Sequence, residues 1–121
     1  MTEQDALDFV RVSLGSIWAL ELLALLGRDP GRSWPLDKII HESRSSPRAV
    51  NQAILLLERA GLIAATAPHE YRYRPKTQDL DVIGELVQKI YATKPSAVIA
   101  AIFESPNNTL HTFADAFKFK E

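Results

Sequence analysis

The chain has 121 residues, 46% of them hydrophobic and 24% charged, with a formal net charge of −1. That is the length of one domain with enough apolar residues for a core, and the near-neutral balance argues against a protein that coats nucleic acid indiscriminately. There is no cysteine, which excludes disulfides, thiolate metal sites and cysteine nucleophiles.

The N-terminus is acidic and lacks the basic region of a signal peptide, and no apolar run is long enough to span a bilayer. A cytoplasmic protein with no membrane partner is expected. Residues 1–15 read as an N-terminal helix with Leu7, Val10 and Leu14 on one side. Gly15-Ser16 is a joint to a second helix, Ile17 to Leu26, apolar nearly all round with Glu21 as its only charge. Such a helix belongs at the centre of a bundle or at an interface. Trp18 and Trp34 read as core anchors. Residues 27–32 form a turn by composition, and Ser33-Trp34-Pro35 is extended because the residue before proline avoids the helical region. Leu36 to Ser43 is a short helix with Leu36, Ile39 and Ile40 inward and Asp37 near its positive end.

The stretch from Ser45 to Ile63 carries the strongest local signals. Ser46 is a good N-cap, Pro47 sits at the first helical position, and Gly61 supplies the left-handed residue that stops the helix. Val50, Ala53, Ile54 and Leu57 share one face, so that side is buried. Arg48, Asn51 and Gln52 occupy the solvent side of the first half, while Leu55 and Leu56 lie toward the outer side of the second half.

Beyond Gly61 the pattern turns alternating. Residues 62–66 and 71–74 flank the four-residue loop Ala67-Pro68-His69-Glu70, a β-hairpin with Tyr71 and Tyr73 on one face and Arg72 and Arg74 on the other, extended by Lys76. Residues 77–93 form a helix striped by Leu80, Ile83, Leu86, Val87, Ile90 and Tyr91, with Asp79 and Asp81 complementing its dipole and Gly84 permitting a close helix contact. Lys94-Pro95 interrupts it, Ser96 caps the apolar run 97–103, and Asn108 caps a last helix striped by Leu110, Phe113, Ala114 and Phe117. Charge is uneven along this order. Residues 28–76 hold nine basic and five acidic side chains, whereas the segments on either side are net acidic.

The order helix, helix, short strand, helix, capped helix, hairpin resembles the winged helix-turn-helix superfamily of bacterial transcriptional regulators, which includes MarR-like and ArsR-like repressors. The residues that carry the resemblance are Ile17 to Leu26, Leu36 to Ser43, Ser46-Pro-Arg-Ala-Val50 and Leu57-Glu-Arg-Ala-Gly-Leu-Ile63. It covers residues 16–76 as the winged core, with 1–15 as an N-terminal helix and 77–121 as C-terminal helices. The fold class expected is mainly α with a small β-hairpin, in a single domain. The resemblance implies a homodimer on double-stranded DNA, with the recognition helix (about 46–60) in the major groove and the wing (about 62–76) along the minor groove or backbone.

On that reading Arg44, Ser46, Arg48, Asn51, Gln52, His69, Arg72, Arg74 and Lys76 are the DNA-binding candidates. Arginine suits phosphate or guanine, and Asn51 and Gln52 have the geometry for adenine. The same side chains also suit a plain solvated face, and an arginine-rich strand edge also discourages aggregation. Val98, Ile99, Ile102, Phe103, Phe113 and Phe117 are the expected dimer interface, since they exceed what a winged helix needs for its own core; folding back as extra core is the alternative. Leu55 and Leu56 depart from the polar residues usual on a recognition helix. They suit a thymine methyl or, in a different class of function, a protein partner. His41, His69 and His111 share no metal-ligand spacing, no phosphate-cradling glycine motif occurs and no catalytic pattern stands out, so neither metal, cofactor nor enzymatic activity is expected.

Overall fold

Helix α2 (Ile17–Gly27) is the element on which most of the chain packs. Helices α3 (Leu36–Ser43), α4 (Pro47–Arg59) and α5 (Gln78–Thr93) and strand β3 (Glu70–Tyr73) all touch it, α4 most extensively. In the computed structural model, which describes residues 1–105, the remaining elements are α1 (Glu3–Phe9), a π-helical turn (Val10–Leu14), β1 (Trp34–Pro35), β2 (Ile63–Ala67) and α6 (Pro95–Phe103). The architecture is mainly helical with one three-stranded antiparallel sheet in the order β1-β3-β2. Among the described residues no single helix is long and apolar enough to cross a membrane.

The all-apolar character of α2 is explained by neighbours on several sides: Ala19, Leu20, Leu22, Leu23 and Leu26 are each at most 2% exposed. Trp18, expected in the core, is not there. It lies in the first turn of α2 at the rim of a small cleft with Ser43, Ser45 and Val50, and it remains 51% exposed. Trp34 is a core residue as expected, at 5%. The N-terminal helix opens with a capping box, in which the Thr2 hydroxyl accepts from the Asp5 N–H and the Asp5 carboxylate accepts from the Thr2 N–H. It does not stay α-helical to Leu14. The backbone widens over Val10–Leu14 and ends at Gly15, where φ of 59° is a left-handed conformation that glycine adopts without strain.

The extended piece before α3 becomes a strand, Trp34 pairing with Tyr71 and Pro35 with Glu70. The hairpin turn is tighter than the expected four-residue loop. Ala67 pairs with Glu70, so only Pro68 and His69 turn, with Thr66 as a bulge and His69 left-handed at φ 61°. Tyr73 is buried against α5 and its hydroxyl donates to Asp81. The contact with α5 depends on Gly84. A Cβ there would lie 2.6 Å from the Tyr73 hydroxyl oxygen and 3.1 Å from Leu62 Cδ2.

Proline sets the start of α6. Pro95 takes the first helical position, so Lys94 stands at the cap and Ser96, expected there, lies inside the helix. Val98 and Ile102 are 0% and 1% exposed, so these two residues belong to the core of the chain itself and are not available to a dimer face. Ile99 is half-buried and Phe103 is 50% exposed. Phe113, Phe117, His111 and the helix expected after Asn108 lie outside the described residues.

Candidate nucleic-acid interface

The link from α3 to α4 is short and internally tied. The Ser43 hydroxyl donates to the Ile40 carbonyl and the Ser45 hydroxyl to the Ser43 carbonyl. Between them Arg44 adopts φ 54°, ψ 30°, a left-handed conformation that costs a residue with a Cβ on the order of 1–3 kcal/mol. Ser46 then caps α4, its hydroxyl oxygen accepting from the Ala49 N–H at 3.1 Å. Its side chain therefore has a structural duty at the position where a DNA contact was expected.

Amphipathic spacing orients α4. Val50, Ala53, Ile54 and Leu57 are buried against the core, and Arg48, Asn51, Gln52, Leu55 and Arg59 are exposed on the opposite side. Among the described residues the side chains of Arg44, Arg48, Asn51 and Gln52 make no hydrogen bond or ion pair within the chain. Leu55 is 47% exposed in the middle of this polar stripe, as its helical position requires. Leu56 departs from expectation, being half-buried against the core. Arg59 was not among the sequence candidates, although its position eleven residues after Arg48 is the signal that puts it on the same stripe.

The hairpin presents its charge unevenly. Arg74 and Lys76 are exposed past the end of β3, and their backbone N–H groups bond to Leu62 and Gly61. Arg72 is partly withdrawn, its Nε donating to the Pro30 carbonyl at 3.0 Å. Arg32, also missed from sequence, lies 3.7 Å over the Trp34 ring, a cation–π contact that only the fold creates. At the turn itself His69 is exposed, and its carbonyl accepts from the Leu36 N–H, fastening the hairpin to the start of α3. Asp37 and Glu70 share an open hollow with His69, so the turn is not a basic tip. The positive charge of this unit sits on α4 and at the base of the hairpin.

Two tyrosines on other surfaces have perturbed ionisation. Burial, followed by the hydrogen bond it donates to Glu21, pushes Tyr91 up to about 12. Burial and the nearby Asp81 and Glu85 charges raise Tyr73 further still. Among the described residues no group of three His, Asp or Glu side chains is placed to hold a metal ion. Comparison with protein-family models, with curated proteins and with solved structures finds no match.

Proposed function

We propose that this chain is a winged helix-turn-helix DNA-binding regulator of transcription, cytoplasmic and dimeric, with α4 as its recognition helix. The observation that carries the reading is the polar stripe of α4. Arg48, Asn51 and Gln52 stand exposed on the first half of a capped helix, with no hydrogen bond or ion pair among the described residues. The order α2-β1-α3-α4-β2-β3, with β1 closing onto β3, supports the same reading, since it puts a hairpin directly after the capped helix. In the major groove Asn51 and Gln52 pair with adenine edges, while Arg44, Arg48 and Arg59 serve phosphates or guanine. Arg74 and Lys76 add backbone contacts from the base of the hairpin, more than His69 does from its turn. Of the described residues expected at a dimer interface, Ile99 and Phe103 keep apolar surface for a symmetric partner.

Selection of bound fragments from random double-stranded DNA tests this. The wild type is expected to enrich one palindromic sequence, and Arg48→Ala with Asn51→Ala is expected to remove that enrichment while leaving the melting temperature within about a degree, since exposed positions carry little stability. At about 1–3 kcal/mol per base contact, the pair is worth at least tenfold in affinity. Enrichment of no sequence by the wild type refutes the reading. Leu55, exposed among polar side chains, favours a second one, a winged-helix module that binds protein through α4. Salt separates the two, because phosphate contacts make affinity fall steeply with ionic strength and an apolar contact at Leu55 does not.

A further inference from the structure

Leu55 stands at the centre of the outward face of α4. At about 100° per residue it falls within about 20° of Arg48, with Arg59 beyond it and Asn51 and Gln52 on either side. It is exposed, whereas the next residue, Leu56, is half-buried against the core. The other large apolar side chains exposed among the described residues are Met1, Val12, Ile17, Trp18, Val82 and Phe103, and all of them lie outside α4. Leu55 is therefore an apolar island of one side chain, about 10 Å along the axis from Arg48 and about 6 Å from Arg59.

A protein partner would find little to hold here. Interface hot spots sit in packed, water-excluding surroundings, and this leucine is ringed by guanidinium and amide side chains. Duplex DNA presents the complementary pattern. Phosphates line both sides of the major groove, and its floor is polar except for the C5 methyl of thymine. Arg48 and Arg59 stand about 16 Å apart along the axis, so positive charge continues past Leu55 to the end of α4, and the helix can follow the groove with Leu55 facing its floor. We propose that Leu55 reads a thymine through its methyl group, within about two base pairs of the base read by Asn51. From Asn51 to Leu55 the helix rises about 6 Å, and bases along a strand are spaced about 3.4 Å apart. The assignment rests on α4 being the recognition helix and adds to it a base identity at a defined place.

The test uses the duplex that the full-length wild type selects. Each thymine in turn is replaced by deoxyuridine, which pairs identically and lacks only the methyl. One position in each half-site should lose about fourfold in affinity, the equivalent of about 0.8 kcal/mol for one buried methyl group. This series needs no protein variant, so it stands whatever a substitution does to folding. Leu55→Ala should keep the melting temperature, bind the unmodified duplex at least fourfold more weakly, and show no further loss with deoxyuridine at that position. Equal affinity of the wild type for every deoxyuridine duplex overturns the thymine contact and leaves the DNA reading standing. The same deoxyuridine loss in wild type and Leu55→Ala does so too, as does undiminished binding by Leu55→Ala. A wild type that selects no sequence overturns both.

Discussion

Replacing Gly84 by alanine asks how tightly α5 is pressed onto the hairpin. The new methyl would start 2.6 Å from the Tyr73 hydroxyl oxygen, about 0.8 Å inside ordinary contact at 3.4 Å. Tyr73 is 5% exposed, so the ring cannot simply swing into solvent, and its hydrogen bond to Asp81 would be displaced. Overpacking of this kind costs about 1–3 kcal/mol, whereas exchanging glycine for alanine inside a helix returns about 1 kcal/mol. Gly84→Ala is therefore expected to destabilise by about 1 kcal/mol, a fall of about 3–6 °C in melting temperature for a chain of this size. Removing the clashing oxygen should reverse the sign. In the Tyr73→Phe background the nearest ring atom is the former hydroxyl-bearing carbon at 3.6 Å, an ordinary contact, and only Leu62 Cδ2 at 3.1 Å must give way. Thermal and urea unfolding of the wild type, both single variants and the double variant measure the coupling. Equal cost of Gly84→Ala in both backgrounds, or a stabilising Gly84→Ala in the wild type, refutes the close contact.

The other expectations are narrower. Ser46→Ala should cost about 1 kcal/mol by uncapping α4. Ser46→Asp should keep the cap and the stability while weakening DNA binding through repulsion of phosphate, and equal stability of wild type and Ser46→Ala would show the cap to be idle. For Tyr91 the folded state holds the proton more tightly, at about 12, than the unfolded chain does at about 10. Its contribution is thus complete below pH 10 and is lost as pH rises from 10 to 12. Unfolding midpoints against pH should fall across that window and fall less in Tyr91→Phe, and the native phenolate absorbance should lag that of free tyrosine.

Residues 46–61 show what local signals specify. The cap, the proline at the first position, the buried stripe and the glycine stop each act within a few residues, so α4 could be read from the chain with its inner and outer faces. The exposure of Leu55 followed from the same wheel. Leu56 was misread because it lies at the edge of the buried stripe, where the bulk of the neighbouring elements, not the angle on the wheel, decides how much is covered. The hairpin was legible in its alternation but not in its turn, since whether Ala67 and Glu70 pair depends on how β3 is held by β1 and α3. Arg32 was invisible as a neighbour of Trp34, since nothing in their spacing requires the two side chains to stack.

Periodicity, caps and breakers, all short-range physics, determined by themselves the order of the described helices and strands, to within a few residues at their ends, and which face of α4 is polar. Only the tertiary structure decided which apolar surfaces were surplus. Val98 and Ile102 look as exposed on the helix wheel as Phe103 does, yet two of the three are spent in the core. Burial is a property of what packs opposite, and the partners of α6, namely α1, the π-helical turn and α5, come from the distant end of the chain or the element before. The same holds for Arg72, whose place on the outer face of a strand was correct, while the carbonyl of Pro30, 42 residues earlier, determines that its charge is partly withdrawn.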